Sequence, residues 1–155
     1  MNNIKYLINN TNVTDVAIYM ANEYRKMYSD DIDEMKLHKL MYFAQRESII
    51  QTGSALVDAT FYGWKFGPVL KEVRSLYKDN DHRPTEVINI SGVPANIINS
   101  TLERYGGWES WRLSDLSHSE LSWRMSRRGL KRDESGNKPI LLAHILIDAA
   151  RVKEY

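Results

Sequence analysis

The chain reads as a mainly α, single compact helical domain of about six or seven helices with a small two-stranded β element. Three observations predict it. Apolar residues recur at three- and four-residue spacing along most of the length. Residues that favour helix ends stand where those stripes start and stop. Only two short stretches, "ALVDATFYGWKF" (55–66) and "PTEVINISGVP" (84–94), exchange the helical period for β-branched and aromatic residues. With 155 residues, 1–155 suits one domain with one core.

In order, "VTDVAIYMANEYRKMY" (13–28) places Val13, Val16, Ala17, Met20, Tyr24 and Met27 on one face, with Thr11, Asn12 or Thr14 as N-cap. "DDIDEMKLHKLMYFAQRESIIQTG" (30–53) follows. Asp31 and Glu34 form a capping pair, Leu37, Leu40, Met41, Ala44 and Ile49 make the stripe, and Gly53 ends the helix. A strand is expected near 57–65. Pro68 fits the first position of the next helix, whose apolar face is Val69, Val73, Leu76 and Tyr77. Residues 86–91 offer a second strand, paired with the first. Pro94 starts a helix through Ile97, Ile98, Leu102 and Tyr105, closed by Gly106 and Gly107. "SWRLSDLSHSELSW" (110–123) reads as a short helix and a polar turn. The last element, Pro139 to about Lys153, is apolar nearly all round and is expected in the middle of the bundle.

Composition removes several function classes. The chain is 43% hydrophobic and 26% charged, the balance of a folded globular protein. It contains no cysteine, so thiolate catalysis, disulfides and cysteine-ligated metals are excluded. The net charge of +1 gives no global attraction to nucleic acid or anionic membrane. The N-terminal stretch lacks the pattern of a signal peptide, and the longest apolar run, "ILLAHILIDAA" (140–150), is too short to span a bilayer. A cytoplasmic location is the expectation.

Four histidines, His38, His82, His118 and His144, lack a second ligand at zinc-site spacing, and no metal or cofactor is expected. "DDIDE" (30–34) lacks the spacing of a calcium loop and suits a helix N-terminus facing solvent, or an acidic contact to a basic partner. His118 lies beside Ser117, Ser119 and Glu120, but sequence neighbours rarely meet in triad geometry, so no catalytic residue is assigned. In "GWKFGPVLKEV" (63–73), Trp64, Gly67 and Pro68 read as a strand-to-helix corner secured by aromatics. A fully buried Trp64 would contribute roughly 4–6 kcal/mol. The alternative is a partner-facing patch of Lys65 and Phe66. "WRMSRRGLKR" (123–132) carries Arg124, Arg127, Arg128, Lys131 and Arg132 without an acid. It reads as a solvated surface, a protein interface, or a nucleic-acid contact. Nucleic acid is the less favoured of these, since no helix-turn-helix, zinc-finger or RNA-binding signature accompanies it.

Three blocks, "KLHKLMYFAQ" (36–45), "GWKFGPVLKEV" and "LSDLSHSELSW" (113–123), follow one another in this order. Together they resemble the Panacea domain, a mostly helical family of bacteria and their phages. Leu37, Lys39, Leu40, Tyr42, Ala44 and Gln45 match its first motif. Trp64, Gly67, Pro68 and Val69 match the second, and Leu116, His118 and Trp123 the third. His38 stands where the family mostly has Gln, Ser117 replaces a frequent Thr, and Ser122 a frequent Pro. The resemblance implies a non-enzymatic antitoxin whose partner is a cognate protein toxin, neutralised by direct binding. Some relatives instead deliver a toxin to an ATP-dependent protease. It further implies that the motif residues mark the fold, while the toxin-binding surface differs between members.

Overall fold

The computed structural model describes residues 6–7, 13–79 and 86–153. Thr11, Asn12 and His82, and the expected strand's approach at Pro84 and Thr85, lie outside the described residues. The first helix, α1 (Val13–Tyr28), buries Val13, Val16, Ala17, Met20 and Tyr24 on one face, and leaves Met27 exposed. Next comes α2 (Glu34–Thr52). Asp33, rather than Asp31, caps it by accepting the Lys36 N–H at 2.9 Å. Gly53 closes it at φ 76° and donates its N–H to the Ile49 carbonyl at 2.9 Å.

Two strands, β1 (Phe61–Trp64) and β2 (Gly67–Leu70), form an antiparallel hairpin across Lys65 and Phe66. Helix α3 (Lys71–Asp79) follows directly and buries Val73, Leu76 and Tyr77. Then come α4 (Gly92–Tyr105), α5 (Ser110–His118) and α6 (Leu121–Ser126). A short strand, β3 (Pro139–Ile140), pairs antiparallel with β1, and α7 (Leu142–Lys153) ends the described chain. The fold is mainly helical, with seven helices among the described residues and a three-stranded antiparallel sheet ordered β2-β1-β3.

Beyond the Asp33 cap, the helix at Leu121–Ser126 where a polar turn is expected and the strand at Pro139–Ile140 where the last helix is expected to begin, three placements differ from expectation. Residues 86–91 form no strand, and the partners of β1 are β2 and β3 instead. Pro68 lies in β2, not at a helix start, and α3 begins at Lys71. A proline cannot donate to a sheet ladder, but β2 is an edge strand, where one is tolerated. The third difference concerns the centre of the molecule. Helix α7 lies on the outside, burying Ile145, Asp148 and Ala149 while Ile147 remains 45% exposed. The central element is α2, packed by α1, α3, α4, α5, α7 and β2, with 13 of its 19 residues buried.

A helix so rich in polar residues can be central because its polar groups find partners. His38 Nδ1 accepts the Leu70 N–H at 3.1 Å, and Nε2 lies 3.0 Å from Glu34 Oε2. Gln45 donates to the Val57 carbonyl at 2.8 Å and accepts its N–H at 2.9 Å, holding the segment before β1. Ser48 Oγ donates to the Ser54 carbonyl at 2.7 Å. Arg46 pairs with Glu120 and donates to the Tyr105 hydroxyl at 3.1 Å.

Candidate binding groove

The first motif block is interior. Leu37, Leu40, Tyr42 and Ala44 sit in the core beside Phe43, and Gln45 forms the clip just described. Lys39 is buried beneath the hairpin, its stem against Gly67, and burial holds its ammonium pKa below the ordinary lysine value despite Asp33. Tyr42 shares a 2.6 Å hydrogen bond with Ser122 Oγ, joining α2 to α6. Burial raises the Tyr42 pKa well above the ordinary tyrosine value, with the nearby Glu120 carboxylate adding to it. Glu120 is itself pushed up by burial, and Arg46 opposes the shift.

In the second block, Pro68 and Val69 are buried in β2. Gly67 has φ 134°, a left-handed value that favours glycine, and a Cβ there would lie 2.9 Å from Ser117 Oγ. The hairpin therefore closes tightly over α5. Trp64 is only half-buried, so it does not supply the full burial expected of it. Its Nε1 donates to Asn137 Oδ1 at 3.1 Å, and its carbonyl accepts Trp123 Nε1 at 2.8 Å. In the third block, Leu116 packs partly buried on the core, Trp123 is buried, and His118 stacks on Trp123 at 4.1 Å between ring centres.

His118 forms the wall between two adjoining cavities. One, of about 680 Å³, is lined by Lys65, Phe66, Trp111, Ser114, Asp115, His118, Arg132 and Asp133. The other, of about 640 Å³, is lined by Asp115, His118, Ser119, Trp123, Arg124, Arg127, Leu130, Lys131 and Arg132. They share Asp115, His118 and Arg132 and make one groove. Lys65 and Phe66 from the hairpin thus meet Arg124, Lys131 and Arg132 from the basic run, two segments about 60 residues apart in sequence. Phe66 is 57% exposed, and Lys65 Nζ lies 5.0 Å from the centre of its ring. Arg128 is exposed but lines neither cavity.

Arg127 leaves the set of partner-binding candidates. It is 6% exposed and donates to the carbonyls of Gly63 and Lys131, each at 3.2 Å, as well as to those of Arg132 and Glu134. Its guanidinium fastens the 131–134 loop to β1, so its charge is committed inside the fold.

Ser117 Oγ donates to the Ser114 carbonyl at 2.9 Å and Ser119 Oγ to the Leu116 carbonyl at 2.6 Å. Both hydroxyls are occupied by backbone, and neither His118 ring nitrogen has a hydrogen-bond partner. Burial lowers the His118 pKa below the ordinary histidine value. Arg132 and Lys39 add to that, while Asp115 opposes it. The groove wall is therefore uncharged at neutral pH.

Sequence reasoning missed Trp111 and Asp115. Trp111, Ser114, Asp115 and His118 recur at i, i+3, i+4 and i+7, which sets them on one face of α5. That spacing was the available signal, with a tryptophan 63% exposed at its head. It also missed Asp148, whose carboxylate accepts the N–H groups of Leu121 and Ser122, both at 2.8 Å, at the start of α6. A carboxylate 26 residues downstream has no local sequence signature as a cap.

This arrangement defines a class: a helical scaffold whose motif residues build the interior or pack against it, and which carries a groove lined by exposed aromatic and cationic side chains. The model of the Antitoxin SocA-like, Panacea domain family matches residues 37–124, and the chain belongs to that family. It is also similar to Antitoxin SocA of Caulobacter vibrioides (strain NA1000 / CB15N), 38% identical over 58 residues. That stretch covers 37% of this chain and 30% of the relative. No solved structure matches. Among the described residues, no helix is long and apolar enough to cross a membrane.

Proposed function

We propose that this chain neutralises a cognate protein toxin by binding it directly, with the groove face as the contact surface. The carrying observation is the convergence of Lys65 and Phe66 with Arg124, Lys131 and Arg132 on one groove of an antitoxin-family fold. Aromatic and arginine side chains are the residue types that most often dominate binding energy. A stable interface buries about 800 Å² per partner. The chain exposes 8486 Å², so that patch is roughly a tenth of its surface. Neutralisation then follows from occlusion: a folded surface covers the toxin's working site or holds it in an inactive form.

The test is coexpression with the product of the adjacent reading frame. That product is expected to arrest growth alone, to be harmless with this chain, and to co-purify with it. Rescue should persist in a host lacking ATP-dependent proteases. Rescue that disappears there would point to delivery for degradation, and rescue without a complex would sink the direct-binding reading.

A further inference from the structure

We infer that the groove accepts an extended acidic segment of a protein partner, anchored by one aromatic side chain. The inference rests on the direct-binding reading above and adds the chemistry of what is bound. Two halves of the groove differ in kind. At one end stand Phe66 and Trp111, the two aromatics among the exposed large hydrophobic side chains of the described residues. Their exposure leaves apolar area in water that an incoming ring would cover, and aromatic pairs add attraction beyond area alone.

At the other end Arg124 and Lys131 rim the second cavity, with Arg132 shared between the two. Across both halves the lining carries five cations against two carboxylates, on a chain whose net charge is only +1. One of the five, Arg127, is held by backbone carbonyls, but its charge still adds to the local field. Carboxylates are the complement of such a rim, and Arg forks pair with them in two-point geometry. Asp115 and Asp133 argue against a phosphodiester strand. Asp133 stands in the aromatic half and Asp115 borders both cavities, so the backbone of a nucleotide stacked on the aromatics would bring its phosphates against carboxylates. In a peptide, an amide or a lysine beside the anchor suits them. The uncharged His118 wall between the halves suits a peptide backbone crossing from anchor to acidic end.

The experiment pans a random-peptide phage library against the intact chain, then measures the recovered peptides by fluorescence anisotropy. Peptides pairing an aromatic residue with a run of Asp or Glu are expected to be enriched. Their affinity should fall about tenfold or more with Trp111→Ala, and likewise with Lys131→Glu combined with Arg132→Glu. Circular dichroism would verify that the variants fold, and Phe66→Ser replaces Trp111→Ala should that one fail. Recovery of no peptide, recovery of peptides without acidic residues, or equal binding to the variants would overturn the inference. So would displacement of the peptides by oligo-dT, which would assign the groove to single-stranded nucleic acid. Toxin capture by the intact chain that survives any of these results would leave the direct-binding reading standing, whereas loss of capture would remove both.

Discussion

At Ser122 the chain departs from its family's frequent proline, and the side chain's contacts show what the departure provides. Its N–H is held by Asp148 and its hydroxyl by Tyr42, both inside the fold. Ser122→Ala should remove only the Tyr42 bond and cost about 1 kcal/mol in urea denaturation. Ser122→Pro, although family-like, also removes the donor to Asp148 and should cost about 2 kcal/mol or more. A neutral proline variant would show that the bond to Asp148 contributes nothing. His38, another motif departure, carries a pH consequence. Burial holds its imidazole below the ordinary value of 6.5, with Glu34 opposing. Between 6.5 and the folded value, the unfolded chain therefore binds the extra proton. Stability is complete above that range and is lost as pH falls through it, and His118 acts with the same sign. His38→Gln, which keeps an acceptor for the Leu70 N–H, should flatten part of this loss. Urea midpoints measured from pH 7.5 to 5 check it, and an unchanged slope would remove His38 from the account.

Among the elements, α6 is the one whose existence depends most on distant residues. Six residues cannot sustain a helix alone, and its flanking Glu120 makes no side-chain cap bond. Asp148 on α7, only 1% exposed, supplies the acceptor instead. Asp148→Ala should cost about 2–3 kcal/mol, since it leaves two backbone donors unpaired, the Ser122 one fully buried. Asp148→Asn keeps one acceptor oxygen and should cost less, so equal losses would exclude capping as the reason. The same dependence marks what the sequence could and could not disclose. Helices α1, α2 and α4 were legible because their stripes and boundary residues are local. The hairpin was not, because Gly67 and Pro68 resemble a helix entrance unless β2 is known to be an edge strand. The centre was misassigned because apolar content pointed to α7, whereas α2 is buried through the partners its polar side chains find far along the chain. Half of the groove was visible as two separate segments, and their meeting was not. Arg127, one of five cations in a run, could not be told from its neighbours until its carbonyl partners were seen.

Over the whole molecule, charge separates an exposed groove rim from the cations committed inside the fold. The net charge is +1, so long-range attraction to a partner must come from local concentration such as the groove's cationic rim. Arg124, Lys131 and Arg132 are exposed. Reversing Lys131 and Arg132 to Glu should therefore leave the urea midpoint nearly unchanged, as exposed substitutions usually shift stability by no more than about 0.5 kcal/mol. Association with an acidic partner surface should nevertheless slow by about tenfold at low salt, and the difference from the unaltered chain should shrink as salt rises. Arg127→Ala should do the opposite. It strands the Gly63 and loop carbonyls and opens the packing against Trp123, so about 2–4 kcal/mol of stability should go, whatever the salt. Stopped-flow association with the proposed toxin partner, beside denaturation of both variants, distinguishes the two roles. If the double reversal unfolds the chain, or leaves the association rate and its salt dependence intact, the exposed rim does not steer the partner and the contact surface must be sought on another face.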